Sequence, residues 1–263
     1  MLPASAAGPA RERMRALLDT NRPDVRYLVA RVSGGSAERI ARLCAAVLDA
    51  AGAPTGLLGR EPSLPTGPLD DALYVRAGLL VLSGANQLGL NRPALGEPSR
   101  REVEVALALT AFAEASLRVV LLVEEEPGAD PALAVADADI AVLCRLGVEG
   151  VTAAFAGIAD GTPVVSAPQD AAARARVEAL AQERALPLLL GDREFSHEDG
   201  VATSDVTVAG QRYASLPRAA DVSGWQLATG IAAALGIGAL GVRMREEWIV
   251  AGARAAAGAT MPG

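Results

Sequence analysis

The chain has 263 residues, of which 51% are hydrophobic and only 3% aromatic, enough apolar material for one large domain with a substantial core. All 24 of its basic Lys/Arg residues are arginine, which excludes Schiff-base lysines, low-pKa amine bases and the phosphate-binding lysine of P-loop enzymes. The formal net charge of -7 argues against a nucleic-acid partner, because binding a polyanion needs a positive surface.

The sequence predicts a cytoplasmic protein that does not enter a membrane. The longest apolar run, at 230–242, is interrupted by glycines and is shorter than the roughly 20 residues of a membrane-spanning helix. Residues 1–17 contain three arginines where a signal peptide has its apolar stretch. The two cysteines, Cys44 and Cys144, fit buried thiols better than a disulfide.

The first 190 residues alternate between helical and strand patterns after an N-terminal helix within 1–20. Apolar runs of strand length predict strands at 27–32, 79–82, 119–123, 140–143, 163–165 and 186–190. Helical periodicity predicts helices at 37–51, 101–115, 152–159 and 170–184. Strands without a polar face, joined by helices, predict an α/β fold with a mostly parallel sheet flanked by helices.

The pattern changes after residue 190. Short alternating segments around the Asp199-Gly200 turn predict a small antiparallel flap over 191–216. Two closing helices are predicted within 222–263, at about 222–240 and 245–257. Two Gly- and Pro-rich stretches, 59–78 and 84–99, are predicted to be loops at the sheet rim. We expect a single domain over 1–263.

The turn after the first strand is the first candidate site. The strand at 27–32 continues into Ser33-Gly34-Gly35-Ser36, and a helix begins at Ala37. A glycine-rich turn between a strand and a helix presents backbone N–H groups and a helix N-terminus to a phosphate. Many α/β domains turn tightly here without a ligand, so the turn alone leaves both interpretations open.

Four segments add an ordered set of motifs. They are 28–37 (LVARVSGGSA), 43–57, which contains LCAAVLDAAG and TGL, 120–124 (VLLVE) and 154–165 (AFAGIADGTPVV). They resemble the V-A-G-T-N-G-K-G-S loop, the A-A-G-x-x-x-G-L segment, the strand ending in a magnesium-associated Glu, and the E-K-A-G-I-x-x-x-x-P-V-V segment of one family. That family is the Mur ligases, and the closest branch is the folylpolyglutamate and dihydrofolate synthases.

The resemblance continues to the C-terminus. Leu216-Pro217 with the helix at 225–240, then Ala251-Gly252 and 261–263 (MPG), resemble the L-P-G-R-H-Q, N-A-A-x-A and W-P-G-R signatures that end the family's central domain. The match covers roughly residues 20 to 263 and is poor at 60–99. It implies a P-loop-like Mur ligase central domain, and we expect the chain to lack the family's C-terminal domain.

The residues that carry the family's chemistry are replaced. The family joins a carboxylate to an amine through an acyl phosphate made from ATP, which needs cations and magnesium around the γ-phosphate. By the resemblance, the P-loop Lys falls on Gly35, the P-loop Ser/Thr on Ala37, the carbamylated Lys on Phe155 and a His near Gly150. Only Glu124 remains, and in a run of three glutamates it is also typical of a solvated strand end. We therefore predict no cofactor, ATP and Mg²⁺ included, and no metal site.

Few other residues are candidates for a site. His197 is the only histidine and is a candidate base with Glu124, although a position in the flap turn also favours a plain surface role. Ser33, Gly34, Gly35, Ser36 and Arg39 form the candidate anion-binding loop, in which Arg39 would replace the lost lysine charge.

Two arginines and two tryptophans are further candidates. Arg100 and Arg101 open a helix and are candidates for clamping a carboxylate, with ordinary solvated arginines as the alternative. We expect Trp225 and Trp248 in the core or at an interface.

Three functions remain open. The favoured one is a catalytically degenerate Mur-ligase-like protein that acts as a partner or regulatory subunit through a protein partner or self-association. The second is a repurposed, ATP-independent enzyme that uses the remaining cleft for a small-molecule ligand. The third is a binding module for an anion at the glycine turn. An ATP-dependent amide ligase completed by a partner chain is a further alternative.

Overall fold

The structure is a computed structural model, and it describes residues 4–19, 22–23, 26–64 and 70–258. Within these ranges, α-helices cover Ala4–Leu18 (α1), Ala37–Ala50 (α2), Asp71–Asn91 (α3), Arg100–Glu114 (α4), Val148–Ala156 (α5), Ala171–Glu183 (α6), Gly224–Ala239 (α7) and Glu246–Gly258 (α8). Strands cover Leu28–Ser33 (β1), Thr55–Leu58 (β2), Pro62–Ser63 (β3), Val119–Glu124 (β4), Ile140–Leu143 (β5), Val164–Ser166 (β6), Leu188–Leu190 (β7), Phe195–Asp199 (β8), Thr203–Val208 (β9) and Gln211–Pro217 (β10).

The strands form two sheets. The larger has the order β3-β2-β4-β1-β5-β6-β7 and is parallel except for β3, which pairs antiparallel with β2. The smaller sheet is antiparallel, with the order β10-β9-β8. The predicted α/β fold with a mostly parallel sheet and an antiparallel flap is confirmed. Because β1 lies between β4 and β5, the segments that follow these three strands meet at one edge of the sheet.

Helices cover both faces of the larger sheet, because alternate residues of its central strands point to opposite sides. Ala30 and Val32 of β1 pack in the cluster formed with α2, α7, α8 and the smaller sheet. Val29 packs in the opposite cluster, formed with α1, α3 and α4. A third cluster joins β5 and β6 to α5 and α6. Cys44 and Cys144 are buried free thiols, as expected.

The prediction of a strand at 79–82 is wrong. These residues belong to α3, whose buried positions Ala77, Val81, Gly84 and Leu88 recur at helical spacing. Within the predicted loops at 59–78 and 84–99, residues 71–78 and 84–91 belong to this helix. The strand beside β4 is instead β2, from the TGL segment.

The C-terminal third follows the prediction closely. The flap and the two closing helices are present, while 261–263 lie outside the described residues.

The predicted helix at 152–159 begins earlier, at Val148. His197 lies within β8 rather than in the turn that follows it. None of the helices in the described parts of the chain is long and apolar enough to cross a membrane.

Candidate functional site

The glycine turn after β1 is tied to both neighbouring strands. The Gly34 N–H donates to the carbonyl of Glu124 (2.8 Å), and the Gly35 N–H donates to the carbonyl of Arg145 (2.9 Å). Gly34 has φ +112°, and a Cβ at this position would lie 2.7 Å from Leu146 Cδ2. Only glycine fits this conformation and this space, so the turn is held in one tight shape.

A carboxylate of the protein itself occupies the start of α2. Ser36 precedes the helix with φ 69° and ψ 21°, and its N–H donates to Glu125 Oε2 (3.1 Å). The Glu38 N–H donates to Glu125 Oε1 (3.1 Å), and the Ala37 N–H donates to the Gly34 carbonyl (3.0 Å). Every backbone N–H from residue 34 to residue 38 therefore has an acceptor within the protein. The helix N-terminus that would attract a phosphate binds the side chain of Glu125.

Glu124, the last residue of β4, is buried beneath this turn with 6% of its surface exposed. The Ser33 hydroxyl lies 3.5 Å from Glu124 Oε2, at the outer limit of a hydrogen bond. Burial raises the pKa of Glu124, while the charge of Arg31 and a backbone hydrogen bond from Gly128 oppose that rise. A carboxyl group with a raised pKa at the wall of a cleft is typical of a proton donor or acceptor.

Arg31 is a buried cation in the centre of the sheet, with 7% of its surface exposed. Its Nη2 donates to the carbonyl of Leu133 (2.9 Å). A Cβ on Gly157 would lie 2.5 Å from Arg31 Nη1, so the A-G-I segment needs glycine here to make room for the guanidinium. The positive charge of Arg31 acts on Glu124 and opposes the rise of its pKa that burial causes.

A cleft of about 900 Å³ lies beside the turn, between the segments after β2 and β4 and the starts of α3 and α4. Seven carboxylates and two arginines line it, together with Tyr74 and apolar residues; the carboxylates are Glu38, Glu61, Glu104, Glu124, Glu125, Glu126 and Asp130. An excess of negative charge in a cleft repels a polyphosphate and favours a cation or an amine.

Arg101, one of the two arginines, spans the cleft and is already engaged. Its Nε donates to Asp130 Oδ2 (2.7 Å), and its Nη2 donates to the carbonyl of Gly59 (2.6 Å). Arg100 points to solvent, with its side chain 93% exposed and 2.7 Å from Glu104. The predicted carboxylate clamp is therefore not formed, since Arg101 holds the loop after β2 and Arg100 faces outward.

The structure separates the other predicted site residues. Arg39 binds Asp221, with 2.9 Å from Nη1 to the carbonyl and 2.9 Å from Nη2 to Oδ2, and so joins α2 to the segment before α7 instead of facing the turn. His197 lies 3.9 Å from Asp199 in the smaller sheet and is not among the described residues that line the cleft. Glu124 and His197 are thus not brought together.

Two residues of the site were not predicted. Glu125 falls in a run of three acids, and the sequence does not say which of them turns back onto the loop. Arg31 had a usable signal, because it is the one charged residue in an otherwise apolar strand.

Among the described residues, no group of three or more His, Cys, Asp or Glu side chains is arranged to hold a metal ion.

The fold is that of several solved folylpolyglutamate synthases. The chain superposes on the Mycobacterium tuberculosis enzyme complexed with ADP with TM-score 0.81 and 19% identity, over 97% of this chain and 63% of that one. For the enzyme from Lactobacillus casei the TM-score is 0.79 and the identity 21%, over 92% and 66%. The apo form of the L. casei enzyme gives TM-score 0.82 and 20% identity, over 96% and 68%.

The chain spans about two thirds of the length of these enzymes. No protein-family model matches the sequence, and no curated protein sequence matches it either. At about 20% identity the likeness concerns the fold, and the chemistry has to be argued from the residues present. Over nearly its whole length, this chain has the Mur-ligase-like α/β fold of folylpolyglutamate synthase.

Proposed function

We propose that this chain is a degenerate, cytoplasmic Mur-ligase-like protein that neither binds ATP productively nor forms an acyl phosphate, and that it acts through protein contacts as a partner or regulatory subunit. The observation that carries the proposal is the bidentate contact of Glu125 with the N–H groups of Ser36 and Glu38. A negatively charged side chain fills the position where a P-loop needs open donors.

The residues present do not fit a bound triphosphate with magnesium. Position 35 is Gly where the family has its lysine, and position 37 is Ala where it has the metal-binding hydroxyl. Glu124, Glu125 and Glu126 line the adjacent cleft, and their charges repel phosphate oxygens. A lost transition-state cation costs about 10³ to 10⁵ in rate by analogy with arginine fingers, so even occasional binding would not support turnover.

The proposal is tested by calorimetric titration of the wild type with ATP and Mg²⁺. We expect no binding heat at micromolar to millimolar nucleotide. The comparison variant is the triple substitution Glu125→Ala, Gly35→Lys and Ala37→Ser, which removes the internal carboxylate and restores the P-loop cation and hydroxyl. Glu126→Ala is the matched control for the loss of one acid from the same run. Micromolar binding by the wild type would overturn the proposal.

A repurposed, ATP-independent enzyme is a second candidate, favoured by Glu124. This carboxyl group is buried at the cleft wall and burial raises its pKa, which suits a proton donor or acceptor. The acidic lining favours an amine-bearing small molecule as substrate. Glu124→Gln removes the proton-transfer group with little change in shape. If the variant still turns over a candidate amine, that result would count against this second function.

A further inference from the structure

The outward face of α3 is apolar. Val75, Leu79, Leu82 and Leu90 are 65%, 67%, 58% and 78% exposed. With Asn86 they follow one another at intervals of three or four residues, which places them on one side of the helix. We call these five residues the outer stripe. The opposite side of α3 packs against α1 and α4, so the helix is apolar on both sides.

No charged residue interrupts this segment. Between Arg76 and Arg92 the helix contains only apolar, glycine and uncharged polar residues. A helix that faces water normally has charged residues on its exposed side, whereas a helix that is apolar all round is covered. Four exposed apolar side chains along one face, with no charged residue between Leu79 and Leu90, are typical of an interaction surface.

We infer that the outer stripe is a self-association surface, on which two copies of this chain pair through antiparallel α3 helices. A two-fold axis between Leu82 and Ser83 places Val75 opposite Leu90 of the second copy and Leu79 opposite Asn86. The same surface of each copy then faces the other, as a two-fold interface requires, with Val75 and Leu90 as the apolar pair at each end. Gly78 and Gly89 have no atom within 4 Å of an added Cβ, so they leave room for close approach of the second helix.

Charge complementarity selects the antiparallel arrangement. Asp70 and Asp71 lie at the start of α3, and Arg92 follows its end, with its side chain 52% exposed and 3.7 Å from Asp19 Oδ2 of the same chain. An antiparallel pair brings the acids of each copy near Arg92 of the other, whereas a parallel pair would place like charges together. Acids flank the stripe at Asp70 and Asp71 as well as arginines at Arg76 and Arg92, whereas a helix that binds anionic lipid has a predominantly basic rim. A second copy fits better than a membrane surface.

Sedimentation equilibrium of the full chain measures the state directly. We expect a dimer in the wild type and a dissociation constant raised at least about 30-fold in Leu82→Glu, which places two carboxylates at the axis. Val201→Glu, an exposed apolar residue outside α3, is the control and should remain dimeric. Thermal denaturation of each variant verifies that folding is intact. A monomeric wild type would overturn the inference, whether or not it binds vesicles. A dimer that Leu82→Glu leaves unaffected would also overturn it.

Disulfide trapping tests the orientation. Because Cys44 and Cys144 are buried, only the newly introduced surface cysteines are expected to cross-link. A mixture of Val75→Cys and Leu90→Cys proteins should form the mixed disulfide dimer on mild oxidation, while Val75→Cys alone should not cross-link. Efficient cross-linking of Val75→Cys with itself would exclude the antiparallel pair. The inference does not depend on the fate of nucleotide binding, since neither readout involves ATP.

Discussion

Glu125 and Ser36 are linked by a hydrogen bond of 3.1 Å from the Ser36 N–H to Glu125 Oε2. Ser36 adopts φ 69°, a left-handed conformation that costs a non-glycine residue roughly 1–2 kcal/mol. The carboxylate offsets this cost, because it satisfies two N–H groups at the helix start and places negative charge at the positive end of α2. The start of α2 is thus capped by a side chain of the protein itself.

Replacing this cap should destabilise the protein. We expect Glu125→Ala to lower the free energy of unfolding by about 1–2 kcal/mol, the usual cost of losing a helix N-terminal acceptor. The Glu126 side chain forms no hydrogen bond or ion pair with the described residues, so Glu126→Ala should change the free energy of unfolding by less than about 0.5 kcal/mol. Urea denaturation monitored by circular dichroism measures both. Equal effects would mean that Glu125 does not cap the helix.

Glu124 should make stability depend on pH. Because its folded pKa is raised by burial above an unfolded value of about 4.3, the folded state binds more protons between the two values. Stability therefore falls as pH rises through that window, and the full loss persists above the folded pKa. Glu124→Gln cannot ionise, so we expect it to unfold at a higher temperature than the wild type at pH 7, with the difference shrinking towards pH 4.

Thermal denaturation of both proteins across pH 4 to 8 measures this effect. Glu126→Gln serves as the control, and its difference from the wild type should vary little with pH. A Glu124→Gln effect that stays constant over the whole range would show that the ionisation of Glu124 does not oppose folding.

Glu102 joins α4 to α1. It lies in the first turn of α4 and accepts hydrogen bonds from the Ser99 N–H (2.6 Å) and from Arg13 Nη2 (2.9 Å). Burial alone would raise the pKa of Glu102, but the hydrogen bonds from Arg13 and Ser99 together lower it. The stability it contributes is present above the unfolded pKa and is lost as pH falls through the folded one.

Breaking this buried pair should be costly. We expect Glu102→Gln to lower the free energy of unfolding at pH 7 by about 2–3 kcal/mol, because Arg13 loses its charged partner. Glu104→Gln removes an acid two residues further along α4, where it pairs with the exposed Arg100. This substitution should lower the free energy of unfolding by less than about 1 kcal/mol. Chemical denaturation at neutral pH measures both free energies of unfolding. Similar losses for the two variants would contradict a stabilising role of the pair between Arg13 and Glu102.

Two glycines of the same helix should respond oppositely to alanine. A Cβ on Gly84 would lie 2.2 Å from the carbonyl oxygen of Leu17, so Gly84→Ala must push α3 away from α1. We expect a loss of about 1–3 kcal/mol. Gly78 has no atom within 4 Å of an added Cβ, and Gly78→Ala should raise stability by about 0.5–1 kcal/mol through helix propensity. Monomer unfolding measured at low protein concentration separates this effect from self-association.

The sequence is sufficient to predict the central strands and the turn after β1. Apart from Arg31, strand β1 is apolar on both faces up to Ser33, and two glycines follow it; both signals are local. Helix α3 is not predictable in the same way, because a helix that is apolar on both sides gives no amphipathic period and its LLVL run at 79–82 is equally typical of a strand.

The site is harder to predict than the fold. Successive residues of a strand end point to opposite sides, so Glu124 turns under the sheet edge while Glu125 reaches the loop. Which of the three neighbouring glutamates is buried and which one binds the loop depends on where β4 stops pairing. That position is set by tertiary contacts. Gly35 and Ala37 are visible in the sequence, but the internal carboxylate that binds beside them is not.

The position of β1 also bears on how freely the chain can change length. Its residue Leu28 pairs with Val119, so the central pairing closes a loop that contains α2, β2, α3 and the poorly matching segment at 60–99. The entropy of closing a loop grows only with the logarithm of its length, about 0.6 kcal/mol for each doubling. Insertions and deletions in the loops of that segment therefore cost little closure entropy. Cleft walls and the α3 surface can be remodelled between relatives while the sheet beneath them stays the same.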